Sequence, residues 1–98
     1  MRLDIASAQE LGLLIRAARK TQGLRMDDLA GSAEVGPVFV REVERGKPTV
    51  QLGRVLRLLD ELGLRLQVDL PDDCAPALER LRREGLKPLP QPLPRRRD

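Results

Sequence analysis

The sequence predicts a mainly α-helical domain of four to five helices, followed by one short β-strand. Three observations carry that prediction. Apolar residues recur at helical spacing through successive segments between Ser7 and Leu62. A Gly36-Pro37 step separates two of the shortest segments, as a tight turn between helices would. From Leu64 to Leu70 the apolar period falls to two.

Each element can be justified in turn. Residues 1–6 alternate weakly, with Leu3 and Ile5 apolar against Arg2 and Asp4, and are expected to form an arm or short strand. Residues 7–63 are expected to form the helical domain. Ser7 is placed to cap its first helix, with Glu10 three residues on completing a capping box. That helix is expected to run to Gln22 and to bury Leu11, Leu14, Ile15 and Ala18. Arg16, Arg19 and Lys20 fall in its last turns, where the helix dipole favours cations, and Gly23 ends it.

The second helix is expected over Met26–Ala33, with Leu29, Ala30 and Ala33 inward. Gly36 is expected to supply the turn, and Pro37 to open the third helix, which runs to Arg45. Val40 and Val43 then point inward, and Val38, Arg41 and Arg45 outward. Gly46-Lys47-Pro48 breaks the chain. Thr49 is the expected cap of a fourth helix that ends at Leu62, closed by Gly63, with Leu52, Val55, Leu56, Leu59 and Leu62 as its apolar face.

In residues 64–70, Leu64, Leu66, Val68 and Leu70 alternate with Arg65, Gln67 and Asp69, the pattern of a half-buried strand. A lone strand leaves its backbone donors and acceptors unpaired. The expected partner is the same strand of a second subunit, in an antiparallel ribbon; the Leu3–Ile5 arm is the other neighbour available. Residues 71–98 form a Pro/Arg-rich tail. Pro71 marks its start, and residues 75–84 are expected to form two helical turns with Leu78 and Leu81 on one side. The proline-spaced LKPLPQPLPRRRD is expected to sample extended, polyproline-like shapes.

Composition narrows the function. The chain has 98 residues, enough for one small domain and an extension. A core of roughly 65 residues buries only about 60% of its unfolded-chain surface, so it gains from dimerising. The net charge of +3 permits nucleic-acid binding. There is no His, Trp, Tyr or Asn, which excludes His-dependent acid–base chemistry and His-bearing zinc sites. The lone Cys74 builds neither an internal disulfide nor a multi-cysteine metal site, and a single thiol fits a reducing compartment. Phe39 is the only aromatic residue, which disfavours reading single strands by base stacking. No apolar run reaches the roughly 20 residues of a membrane span, and Met1-Arg2-Leu3-Asp4 does not open a secretory signal. The expectation is a non-enzymatic cytoplasmic protein without cofactor, metal or membrane.

Two short helices around a turn, followed by Glu-Arg-Gly-Lys, form a helix-turn-helix whose second helix fits a DNA major groove. Arg41 can make a bidentate contact to guanine O6 and N7, worth about 1–3 kcal/mol of discrimination; otherwise it is a solvated helix arginine. Pro37 and Val38 offer only apolar contact, as to a thymine methyl. Glu42 at the margin can accept from a cytosine amine or repel the DNA backbone. Arg25, Arg45 and Lys47 flank the groove edges as phosphate donors. Asp27 and Asp28 suit the dipole of the second helix but oppose phosphate approach there. Glu44 is either solvated or paired with Arg19. Arg95, Arg96 and Arg97 either touch DNA or an acidic partner, or form a solvated end.

The stretches LGLLIRAARKTQG, DDLAGSAEVGPVFVREVERGKPTV and LGRVLRLLDELGLRLQV resemble the XRE family of lambda-repressor-like helix-turn-helix domains. The Gly-Pro-Val-Phe-Val start of the third helix, Glu-Arg-Gly-Lys-Pro-Thr and the Leu-Gly-Leu-Arg-Leu stretch resemble HipB-type antitoxins, which accompany HipA-like serine/threonine kinase toxins. The resemblance covers residues 9–70. It implies a homodimer that represses its own operon by binding a palindromic double-stranded operator, and that also binds the toxin. It implies base reading at Pro37, Val38 and Arg41, pairing of Arg19 with Glu44, and an intersubunit lid from Leu64–Leu70. Two departures stand out. Arg25-Met26 replaces the Thr-Gln that commonly opens the second helix, and apolar Pro37 and Val38 stand where polar readers are common. Specificity then leans on Arg41 and on DNA shape.

Overall fold

A computed structural model of the chain describes residues 1–87 and 89. It divides into two units, residues 1–66 and 67–98. The first holds α1 (Ala8–Thr21), α2 (Met26–Ala33), α3 (Pro37–Glu44) and α4 (Leu52–Glu61). The second holds a short 3-10 turn (Asp72–Cys74) running into α5 (Ala75–Glu84). Most of the proline-spaced tail, with Arg95, Arg96 and Arg97, lies outside the described residues.

The helices of the first unit start and stop for local reasons. Ser7 Oγ accepts from the Glu10 N–H at 3.1 Å, and Glu10 Oε2 accepts from the Ala6 N–H at 2.8 Å. Both groups of the expected box are used, with the carboxylate reaching one residue further back. At α2 the Asp28 carboxylate accepts from the Arg25 N–H at 3.0 Å, so the third helical residue caps the helix in place of Arg25.

The turn between α2 and α3 departs from expectation. Glu34, not Gly36, takes the left-handed conformation, with φ 57°. The Val35 N–H then bonds back to the Ala30 carbonyl at 2.9 Å and closes α2. Gly36 has φ −78° and serves as the N-cap of α3, with Pro37 in the first turn as expected. The chain reverses two residues earlier than the glycine suggested, because the α2 carbonyls need closing immediately after Ala33.

The fourth helix also differs. Thr49 is not its cap; α4 begins at Leu52 after an extended Gln51. Pro48 and Thr49 make a turn, which lets Val50 pack on the core instead of starting a helix. The buried face is Val55, Leu58, Leu59 and Leu62, while Leu52 and Leu56 are 65% and 42% exposed. Both sets have helical spacing, and packing against α2 selects one edge of a leucine-rich helix.

The core joins these residues to Ile15, Leu29, Ala30, Ala33, Val40 and Val43, with Leu11, Ala18, Phe39, Val50 and Leu64 packed around it. No strand forms among the described residues. Leu64 is drawn partly onto the core, whereas Leu66, Val68 and Leu70 are exposed. No backbone hydrogen bond pairs this segment with Leu3–Ile5 among the described residues. Period-two patterning sets which residues share a face, but a strand also needs a second edge to bond to.

Candidate nucleic-acid interface

The position of α3 is fixed from behind by two features of α1. Gly12 is the first. A Cβ there would collide with the Val43 carbonyl oxygen and lie 3.0 Å from that of Glu44, so only glycine lets the two helices approach this closely. The second is Arg19, whose Nε and Nη2 donate to both carboxylate oxygens of Glu44 at 2.6 and 2.9 Å. Its Nη1 donates to the Leu24 carbonyl at 2.9 Å. Their side chains are 8% and 2% exposed. The bidentate geometry satisfies both carboxylate oxygens. Hydrogen bonding to Glu44 raises the Arg19 pKa above its ordinary value, against the opposing effect of burial, and Coulombic attraction adds to the rise. The guanidinium therefore ties α1, the α1–α2 connection and α3 to one another.

At the far end of α3, Gly46 has φ 81° and its missing Cβ would sit 2.6 Å from Gln9 Cγ. The chain thus leaves the helix against the start of α1. Gln22 Nε2 donates to the Leu62 carbonyl at 2.9 Å and ties the end of α1 to the end of α4. The sequence reading singled out none of Gly12, Gly46 and Gln22 as a packing contact. An interior glycine beside the Leu11–Ile15 stripe is the one signal that could have found Gly12.

The opposite side of α3 is open. Pro37, Val38, Arg41 and Arg45 are exposed, and Val38, Arg41 and Arg45 share one face at i, i+3 and i+7 spacing. Val38 is 56% exposed. Among the described residues Arg41 and Arg45 have no acidic partner within ion-pair distance. The other cations of the expected interface are engaged. Lys47 Nζ donates to Glu42 Oε2, and the Lys47 N–H bonds to the Glu42 carbonyl at 3.0 Å. Arg25, 78% exposed, lies 3.9 Å from Asp27 and 4.0 Å from Asp28. The structure thus brings Val38, Arg41 and Arg45 onto one face, pairs Glu42 with Lys47, and sets Arg25 at the N-terminus of α2 among acids.

No group of three or more His, Cys, Asp or Glu side chains that could hold a metal occurs among the described residues. No helix among them is long and apolar enough to cross a membrane. Cys74 is a free, partly buried thiol in the second unit.

Comparison with known proteins turns this geometry into a family. A helix-turn-helix domain family matches residues 10–70. The chain belongs to this XRE-type helix-turn-helix family. An uncharacterized HTH-type transcriptional regulator, y4mF of Sinorhizobium fredii, is 44% identical over 69 residues, which cover 70% of this chain and 91% of that protein. Among solved structures, a chain of the HipA–HipB–O2–O3 complex superposes with a TM-score of 0.66 at 18% identity, covering 69% of this chain and 96% of that one. The restriction-modification controller protein C.AhdI from Aeromonas hydrophila superposes with a TM-score of 0.55 at 29% identity, covering 59% and 88%. In this XRE-type chain the matched region runs from α1 through α4 and on to Leu70.

Proposed function

We propose that this XRE-type, DNA-binding regulator acts as a dimeric antitoxin. It represses its own operon by binding a palindromic operator, and it binds a HipA-like serine/threonine kinase toxin. One observation carries the DNA half of this reading: α3 is locked from behind by Arg19–Glu44 and presents Arg41 and Arg45 outward, without acidic partners among the described residues. Arg41 reads guanine, Pro37 and Val38 contact apolar base edges, and Arg45 meets phosphate. Lys47 and Arg25 add phosphate contacts by turning from their carboxylate partners. Glu42 stands at the groove margin and reaches a base only when Lys47 has turned away. A second copy, joined through Leu64, Leu66, Val68 and Leu70, presents its own α3 about one DNA turn away, roughly 34 Å.

The fold likeness to a chain of a HipA–HipB complex supports the antitoxin half. A stand-alone regulator is the second reading, favoured by the 44% identical relative named as a transcriptional regulator. Footprinting of the DNA upstream of its own gene tests the repressor. The expected result is a protected inverted repeat whose binding weakens steeply with salt; no protection there would remove it. Co-purification with the product of an adjoining kinase-like reading frame, together with relief of that product's toxicity, separates antitoxin from stand-alone regulator.

A further inference from the structure

The turn that ends α3 does more than stop the helix. Gly46 has φ 81°, its N–H bonds back to the Val43 carbonyl at 3.0 Å, and the Lys47 N–H bonds back to the Glu42 carbonyl at 3.0 Å. This is the Schellman arrangement, and it closes two helix carbonyls that would otherwise lack partners. It also fixes the Lys47 backbone beside the turn that carries Glu42. Gly46 is buried against Gln9, which holds the turn in place. From there the Lys47 side chain donates through Nζ to Glu42 Oε2, and it has no second acidic partner among the described residues. Glu42 follows Val38 by four residues and precedes Arg45 by three, which puts it on the edge of the outward face of α3. The Lys47 and Glu42 side chains are 47% and 35% exposed. A pair this open to water holds by about 5-fold at most. A phosphate can therefore draw Lys47 away, but it leaves Glu42 unpaired against a polyanion.

We infer that Glu42 is a specificity-determining residue of the DNA face that acts through Lys47. It withholds Lys47 from phosphate on DNA at large, and releases it where a cytosine amine at the groove edge donates to the freed carboxylate. A phosphate contact is the same on every sequence, so an unrestrained Lys47 would strengthen all duplexes alike. With Glu42 beside it, that contact carries a condition. On most sequences Lys47 either stays on Glu42 or leaves behind a carboxylate that faces phosphates, and neither strengthens binding. Where cytosine N4 donates to Glu42, the carboxylate is satisfied and Lys47 reaches the backbone. One exposed ion pair thereby makes a sequence-blind cation sequence-dependent.

This inference rests on the DNA reading by α3 proposed above. The experiment measures binding of the full chain to the upstream inverted repeat and to a scrambled duplex of equal length, across a salt series. The proteins are wild type, Glu42→Gln, Lys47→Gln and the Glu42→Gln/Lys47→Gln double variant. Glu42→Gln is expected to strengthen binding to the scrambled duplex by about 5-fold and to steepen its salt slope by about 1, because one more cation reaches phosphate. The preference for the repeat should fall by about the same factor. In the Lys47→Gln background the same change is expected to alter affinity for the scrambled duplex by about 2-fold or less, the part owed to screened repulsion between Glu42 and DNA. A gain of equal size with and without Lys47 makes Glu42 a simple repulsive charge and overturns the inference, as does an unchanged salt slope; both leave the DNA reading by α3 standing. A wild-type chain that binds the two duplexes equally overturns that reading and this inference with it.

Discussion

The two faces of α3 are built on opposite terms. Inward, Val40, Val43 and Glu44 are buried, and no buried side-chain polar atom among the described residues lacks a hydrogen-bond partner. Outward, Val38, Arg41 and Arg45 are exposed, and neither arginine has an acidic partner among the described residues. One face sets where the helix is; the other decides what it meets. On the proposed reading, stability and DNA recognition fall to different residues of one short helix, and substitutions on each side should move one property and spare the other.

The largest break in that division is expected from Glu44→Ala or Arg19→Ala. Either leaves a buried charge without its partner and should destabilise the fold by about 3–5 kcal/mol, read by urea or thermal denaturation. A domain this small has little more stability than that, so loss of DNA binding would accompany unfolding. Because Glu44 raises the Arg19 pKa, the pair's stabilisation is present below the unfolded-state value and is lost only above the still higher folded-state one. The denaturation midpoint should show no loss from this pair on raising the pH from about 8 to about 10.

Gly12→Ala is expected to follow, at about 2–3 kcal/mol, because the added methyl meets backbone carbonyls that cannot rotate aside. Surviving folded protein should bind DNA more weakly, since α3 must shift to make room. On the outward face, Arg41→Ala should leave the denaturation midpoint unchanged and reduce operator discrimination by about 1–3 kcal/mol. Arg45→Ala should weaken all DNA sequences alike and lower the salt slope by about 1. The smallest effect is expected at Glu34→Gly. Relief of the left-handed conformation should stabilise the fold by about 0.5–1 kcal/mol without changing DNA affinity.

Much of the first unit was legible because its signals are local. Ser7 marks a helix end through its side-chain hydroxyl, Gly23 and Pro37 through their backbone conformation, and Leu29, Ala30, Ala33, Val40 and Val43 follow the helical period. What could not be read depends on partners distant in sequence. Whether Leu56 or Leu58 turns inward is decided by α2, not by the spacing within α4. Glu44 is as compatible with solvent as with Arg19 until α1 and α3 are brought side by side. Gly12 reads as a weak helix residue until the carbonyls of Val43 and Glu44 come to rest on it. At the candidate interface the composition of cations was legible, but their availability was not. Lys47 and Arg25 look like Arg45 in the sequence, yet of the three Arg45 alone has no carboxylate within ion-pair distance among the described residues.

The central claim is that the outward face of α3 reads base sequence. The most direct measurement is the ratio of affinities for the upstream inverted repeat and for a scrambled duplex of equal length, compared between the wild-type chain and Arg41→Ala at fixed salt. The account predicts that Arg41→Ala lowers this ratio by about 5- to 150-fold while affinity for the scrambled duplex changes little. An unchanged ratio, with both duplexes weakened equally, would contradict it.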